Sequence, residues 1–341
     1  MNGAATFRDA ITNGVELRLM ESWGHETESW IKRQADIISE CVPWDIGNVV
    51  AYIDSVYQEN QKMVGWPDIP CALPQFGALW IEGNTPSWTR TLSSAFASAI
   101  PRFGWALQTF DVKAIKEKTP DFTVDKDMFP GEPRFVTTAS LFFHHAQVLS
   151  GRTHVSGPHV QMSIALNDNG DFLNKNDNFI RLIPTSHLMV TMQDTERKEF
   201  GEESAKDMLD TLASSFGIPA FFAISLAHCS NVGQVEQQGR YASRQERRLA
   251  ERRGDPPPHK YYTLEIGGMT KHLNGEGNAK RDGLQRAMHI CRGHFSTYTE
   301  DKPLFGKYSG RFWVPAHVRG SSDAGRIIKD YRVNAPKGGV A

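Results

Sequence analysis

The sequence contains few cysteines and no long apolar run. Its four cysteines, at positions 41, 71, 229 and 291 of 341 residues, are widely separated, which excludes a disulfide framework and favours a reducing compartment. The longest apolar run, residues 218–227, is about half as long as the roughly 18 residues that cross a bilayer. The first ten residues lack the basic and apolar regions of a secretory signal. We therefore expect a cytoplasmic protein without membrane contact.

Several motifs that mark common enzymes are missing. Gly306 and Lys307 are followed by Tyr308, whereas a phosphate-binding loop requires Ser or Thr at that position. The Gly-Glu-Gly at residues 275–277 lacks the third glycine of a dinucleotide fingerprint. The sequence has no HExxH, no GxSxG and no CxxC, which are motifs of many zinc sites and acyl hydrolases. These absences disfavour nucleotide-dependent enzymes and zinc hydrolases, and we expect neither a cofactor nor a metal.

Charge is distributed unevenly along a chain of ordinary globular composition, 40% hydrophobic and 23% charged. Residues 240–341 contain 20 Lys and Arg against 10 Asp and Glu, whereas residues 1–239 contain 18 against 29. This predicts an acidic α+β region over residues 1–235 and a basic β-rich region over residues 236–341, although a single continuous domain fits equally well. A basic C-terminal third favours contact with a polyanion. The alternative is that the two parts neutralise each other at an internal interface.

Hydrophobic periodicity predicts an α+β fold with a mostly antiparallel β-sheet and an N-terminal helical pair. The pair comprises residues 26–41 and 45–63, with Asp45 as N-cap of the second helix. Pro43 breaks the chain between them, so we expect an αα-hairpin. Strand-like alternation is present in residues 76–82, 103–111, 134–148, 160–166, 179–183 and 259–266.

A later helix is predicted over residues 195–217. Its apolar residues recur at spacings of three and four, and Gly217 is a typical stop. Residues 219–227 are apolar apart from Ser225 and fit either a buried strand or a helix.

A strongly basic helix is predicted over residues 243–253. It contains five arginines, namely Arg244, Arg247, Arg248, Arg252 and Arg253. Arginines four residues apart on a helix repel each other unless an anion relieves the repulsion. The pattern predicts contact with nucleic-acid phosphates, and the alternative is a solvated linker helix.

Residues 286–320 contain the most reactive combination of side chains in the sequence. Histidine, arginine, lysine and tyrosine alternate there with apolar residues between turns, which is typical of a β-rich surface with a polar site. Alternation places His289 and Cys291 on one strand face, and Gly293 predicts a bulge. The candidate catalytic residues are His289, His294, His317, Arg292 and Tyr298. The candidate nucleic-acid ligands are Lys307, Arg311 and Arg319, together with the five arginines of the basic helix.

These residue types match the requirements of metal-independent RNA cleavage. Two imidazoles can divide the roles of general acid and base near neutral pH, because an unperturbed histidine titrates near about 6.5. One group removes the 2′-hydroxyl proton, another protonates the leaving oxygen, and a cation stabilises the phosphorane. The alternative is that the same groups bind phosphate or make structural hydrogen bonds without catalysis.

Two other histidine arrangements are alternatives. His289, Cys291 and His294 could ligate a metal, but their spacing is not that of a structural zinc site. A second histidine-rich region lies at residues 142–159, where adjacent His144 and His145 would point to opposite faces of a strand. We therefore expect at least one of these two to be packed rather than functional.

The C-terminal stretch contains a series of specific short motifs. They are HxCRGHF at residues 289–295, PLFG at 303–306, FW at 312–313 and HVRG at 317–320. Together they resemble an uncharacterised group of bacteriophage and mobile-element proteins, and the likeness spans much of residues 70–333. The resemblance implies a phage or prophage setting and no particular reaction. It favours nucleic-acid transactions, host interference or regulation.

The leading hypothesis is a cytoplasmic phage-type protein that contacts nucleic acid through its basic C-terminal third. RNA is favoured over DNA, and the protein is a candidate metal-independent endoribonuclease. The rival hypothesis is a non-catalytic factor that binds a host or phage protein in defence, anti-defence or regulation.

Overall fold

In the computed structural model, the described residues form two units. They are residues 36–60, 65–91, 100, 102–119, 132–146, 153–173, 180–185, 187–238, 244–253, 260–266, 287–291, 293–314, 317–319 and 321–326. The first unit contains the described residues up to His228 and those of the segment Val232–Ile266. The second unit contains Cys229–Asn231 and the described residues after Ile266. The described residues between 236 and 266, which share the positive charge of the C-terminal third, therefore belong to the first unit.

Nine strands of the described residues form the sheet of the first unit. They are β1 (Val42–Asp45), β2 (Ala78–Asn84), β3 (Arg102–Asp111), β4 (Phe135–Ala146), β5 (Thr153–Ser156), β6 (Val160–Leu166), β7 (Ile180–Pro184), β8 (Val232–Gln238) and β9 (Lys260–Ile266). Eight follow the order β7-β6-β4-β3-β2-β1-β9-β8, and β5 pairs with β4. Strand β1 is parallel to β2 and β9, and the other pairs are antiparallel. The predicted α+β class with a mostly antiparallel sheet is confirmed.

One long helix lies in the core of the first unit. The named helices of the described residues are α1 (Gly47–Asn60), α2 (Val112–Lys118), α3 (His187–Phe200), α4 (Glu202–Ala227) and α5 (Arg244–Arg253). By length and composition alone α4 could cross a membrane, but 83% of its apolar window is buried inside the protein. Phe216 and Phe221 on this helix are fully buried. Helix α4 is therefore the core helix of a soluble fold.

The contact between α4 and the sheet is aromatic. Phe103 of β3 is paired with Phe143 of β4, and alternation places Trp105 on the same sheet face. The ring centroid of Phe216 lies 5.3 Å from that of Phe103 and 5.0 Å from that of Phe143. The Trp105 indole N–H donates to the Phe216 carbonyl at 2.9 Å. Because burying each such side chain contributes roughly 1.5–3 kcal/mol, this cluster fixes α4 against the sheet.

The connection between the two N-terminal helices differs from the prediction. The second helix is confirmed as α1, and the Asp45 side chain accepts a hydrogen bond from the Gly47 N–H at 2.8 Å. Residues 36–40 of the first predicted helix are helical, Cys41 is not, and residues 26–35 lie outside the described residues. Pro43 lies in β1, opposite Trp80 of β2. The predicted αα-hairpin is wrong, because a strand of the central sheet stands between the two helices.

The helix predicted over residues 195–217 is wrong at both ends. Two helices meet at Gly201, whose φ of +98° suits glycine, and α4 continues through Gly217 and Pro219. A Cβ on Gly217 would lie 3.1 Å from the Trp66 ring, so this glycine permits close packing instead of ending the helix. Pro219 removes one helical hydrogen bond, but burial of the surrounding apolar residues outweighs that loss. The ambiguous run at residues 219–227 is therefore helical.

Two small sheets form the second unit among the described residues. Their strands are β10 (Ala287–Cys291), β11 (His294–Tyr298), β12 (Gly310–Val314), β13 (His317–Arg319) and β14 (Ser321–Arg326). One sheet has the order β13-β10-β14, and β11 and β12 form an antiparallel hairpin. The Asn231 side chain donates to the Trp313 carbonyl at 2.7 Å and accepts from the Trp313 N–H at 2.9 Å. These two bonds tie Cys229–Asn231 to the hairpin.

Candidate nucleic-acid interface

Helix α5 presents a row of arginines to solvent. Arg244, Arg248 and Arg252 recur every four residues, so they lie on one helix face about 6 Å apart along the axis. All three are exposed, and within the described residues none of them makes an ion pair. Arg247, in the neighbouring row, pairs with Glu251 at 3.4 Å. Like charges four residues apart repel, and an anion bound along the row would relieve that repulsion.

Strands β10 and β13 bring three of the predicted site residues together. The strands are antiparallel, with His289 opposite Arg319 and Cys291 opposite His317. Opposed residues, and residues two apart on one strand, share a sheet face. His289, His317 and Arg319 therefore occupy adjacent positions on one face of this ladder. The diagonal between the two histidine positions is about 7–8 Å in such a ladder.

The hairpin separates the other candidates onto two faces. His294 and Tyr298 lie four residues apart on β11 and share a face; His294 is exposed and Tyr298 is half-buried. The cross-strand register places Arg311 on the opposite face. The Phe295 and Trp313 rings pack at a tilt on that opposite face, with centroids 4.6 Å apart. Arg311 and the His294–Tyr298 pair therefore point to different sides of the hairpin.

The predicted catalytic set is consequently divided between two sheets. His289 and His317 belong to the β13-β10-β14 sheet, whereas His294 and Tyr298 belong to the hairpin. Arg292, which connects them, lies outside the described residues. The convergence of all three histidines on one phosphate stays a prediction.

The alternative histidine arrangements gain no support from the described residues. In that part of the chain, no group of three or more His, Cys, Asp or Glu side chains could hold a metal ion. His144 and His145 occupy successive positions of β4, so they lie on opposite sheet faces. His159 is buried, and its ring stacks on Phe143 with centroids 4.9 Å apart. His159 therefore serves the core.

The hairpin tip is a feature that sequence reasoning missed. Phe305 is 66% exposed and Tyr308 is 48% exposed. The Lys307 ammonium lies 5.2 Å from the centroid of the Tyr308 ring. A phenylalanine within an aromatic-rich stretch is typical of a core. Only the adjacent Gly306 indicated a turn. The tip thus adds two exposed aromatic rings to the candidate interface.

The first unit also contains a partly buried ion cluster that the sequence did not indicate. The Arg102 guanidinium donates to Glu82 at 2.9 Å and lies 3.3 Å from the Asp45 carboxylate. The Trp80 indole N–H donates to Glu82 at 2.8 Å. Burial lowers the pKa of Arg102, but the Glu82 and Asp45 carboxylates more than offset burial, and its pKa is raised overall. The cluster joins β1, β2 and β3, and its role is structural.

Replacing Glu82 by alanine should destabilise the first unit by about 3 kcal/mol, because a largely buried guanidinium then loses its closest carboxylate. Urea denaturation followed by circular dichroism measures the change. Glu236→Ala is the matched control: it removes an exposed carboxylate 2.7 Å from Lys260, and exposed pairs contribute little. Equal midpoints for the two variants would contradict the structural role of the cluster.

Comparison with protein-family models, curated proteins and solved structures finds no match for this chain. No relative therefore supplies an activity, and the resemblance to phage and mobile-element proteins stays a prediction.

Proposed function

We propose that this protein binds RNA through the arginine row of α5 and through its basic second unit. The observation that carries the proposal is the exposure of Arg244, Arg248 and Arg252 on one helix face without an ion pair among the described residues. Guanidinium groups bind phosphates through paired hydrogen bonds. Residues 267–341 add 13 Lys and Arg against six Asp and Glu. Phosphate contacts carry no sequence information, so binding should extend to many sequences.

The shared face of β10 and β13 favours a second candidate function, a metal-independent endoribonuclease in a phage or mobile-element setting. One imidazole of His289 and His317 takes the 2′-hydroxyl proton, and the 2′-oxygen attacks the adjacent phosphorus. The other, as imidazolium, donates a proton to the departing 5′-oxygen. The products are a 2′,3′-cyclic phosphate and a 5′-hydroxyl. Arg319 stabilises the phosphorane charge, and the need for a 2′-hydroxyl is the reason RNA is favoured over DNA.

Binding is tested with the full chain and fluorescently labelled RNA oligomers of several unrelated sequences. We expect the combined variant Arg244→Ala, Arg248→Ala and Arg252→Ala to weaken binding about tenfold or more at about 50 mM salt, because it removes three phosphate contacts. The loss should be similar for every sequence, as measured by fluorescence anisotropy.

A matched control removes three cations from another helix of the first unit. The control variant replaces Lys113, Lys116 and Lys118 of α2 by alanine. Its RNA affinity should stay close to that of the unaltered chain if the row on α5, and not general positive charge, holds the RNA. Equal losses in both variants would contradict a specific role for α5. No RNA binding by the unaltered chain at low salt would sink the proposal and favour the non-catalytic protein-binding factor.

A further inference from the structure

The tip of the β11–β12 hairpin has a defined structure. Leu304 and Tyr308 exchange two backbone hydrogen bonds, of 2.7 and 3.0 Å, and Gly306 N–H donates to the Pro303 carbonyl at 3.1 Å. These bonds close residues 303–308 into a compact turn. The backbone of this turn is therefore held by its own hydrogen bonds.

Phe305 has an unusual conformation within this turn. Its φ is +54°, and among the described residues it alone, apart from glycines, has a positive φ. The left-handed region is rare for a bulky side chain. The resulting geometry leaves the ring 66% exposed. A positive φ at a bulky residue costs on the order of 1–3 kcal/mol, and a ring that is 66% exposed gains little burial to offset that cost.

Tyr308 and two lysines complete the surface of the tip. Tyr308 is 48% exposed, and the Lys307 ammonium lies 5.2 Å from its ring centroid. Lys302 is also exposed, but the neighbouring Glu300 and Asp301 balance the two lysines. Net charge at the tip therefore does not attract a ligand. The distinguishing property of the tip is its two exposed aromatic rings, of which Tyr308 lies beside the Lys307 ammonium.

We propose that this tip is a stacking platform for unpaired bases of single-stranded RNA. Phe305 and Tyr308 each stack on a base, and Lys302 and Lys307 contact the flanking phosphates. Aromatic rings stack on every base, since each base has a π-face, but only when the base is unpaired. The inference rests on the proposed RNA binding and names its substrate class, because a duplex hides the base faces that the tip requires.

The test compares single-stranded RNA with a duplex of the same length, again by anisotropy with the full chain. Phe305→Ala should weaken single-strand binding about 5- to 150-fold, which corresponds to the loss of one base–aromatic stack, and should leave duplex binding unchanged. Phe305→Trp should retain single-strand affinity. Phe200→Ala is the matched control, because Phe200 is 68% exposed in the first unit and should have no effect.

The outcomes separate this inference from the proposed function. If the unaltered chain binds RNA and Phe305→Ala binds the single strand equally well, the stacking platform is wrong and the arginine row is unaffected. Equal losses for single strand and duplex would also overturn it. Association with anionic vesicles that Phe305→Ala abolishes, with RNA affinity unchanged, would assign the tip to a membrane surface instead. If the unaltered chain binds no RNA, both proposals fall.

Discussion

Replacing His289 or His317 by alanine is expected to lower the rate of RNA cleavage at least about a hundredfold while leaving the fold intact. Each general acid or base typically contributes about 10²–10⁴ to a rate. The two histidines share one ladder face because Cys291, two residues from His289, is paired with His317. Single-turnover cleavage of end-labelled RNA measures the effect. Full activity in the double variant would assign the cleavage to another site or to a contaminant.

Three further observations distinguish this mechanism from a metal-dependent one. Chelator should not stop cleavage, and the products should end in 2′,3′-cyclic phosphate. The pH profile of the rate should be bell-shaped around neutrality, because one imidazole must be neutral and the other charged. Thr297→Ala is the control, since Thr297 is exposed on the hairpin and outside the proposed site. Cleavage that requires a divalent cation would contradict the mechanism.

The variant His294→Ala tests the histidine of the hairpin separately from His289 and His317. The structure places His294 in the hairpin and His289 and His317 in the other small sheet of the same unit. A hundredfold lower cleavage rate in His294→Ala would mean that His294 takes part in catalysis together with His289 and His317, as the sequence predicts. An unaltered rate would assign the acid–base pair to the β10–β13 ladder alone.

Local patterns predicted the strands well and the chain connections poorly. Strand β6 coincides with the predicted residues 160–166, and β3 begins one residue before its predicted start, because both are largely apolar runs with five consecutive buried residues. Strand β1 was missed because four residues containing Pro43 carry no periodicity. What makes β1 a strand is its pairing with Trp80 and Tyr262, partners that are distant in sequence. Long-range pairing of this kind leaves no local pattern.

The candidate interface likewise has one feature that could be predicted from the sequence and others that could not. The arginine row of α5 was predictable, because spacing by four on a helix needs only the sequence. The relation of His289 to Arg319 was not, because it depends on the register of two strands that are 30 residues apart. The exposure of Phe305 was not predictable, because local composition reveals neither its positive φ nor the 66% exposure of its ring.

RNA affinity should fall steeply with salt, by about 50-fold between about 50 and 200 mM. Each neutralised phosphate releases condensed counterions, so the log–log slope for a single strand is about −0.7 per contact. The four arginines of α5 that are counted here, Arg247 and the row Arg244, Arg248 and Arg252, alone give a slope of about −3. Removing the row should make the slope shallower by about 2. Anisotropy titrations at four or more salt concentrations measure both slopes.

The slope also distinguishes phosphate contact from stacking. Phe305→Ala removes no charge, so it should weaken single-strand binding at every salt concentration by the same factor and keep the slope of the unaltered chain. The arginine variant should instead differ most from the unaltered chain at low salt, because counterion release is largest there. A salt-independent affinity of the unaltered chain would contradict phosphate contact by α5, since no other contact proposed for this helix depends on ionic strength in this way.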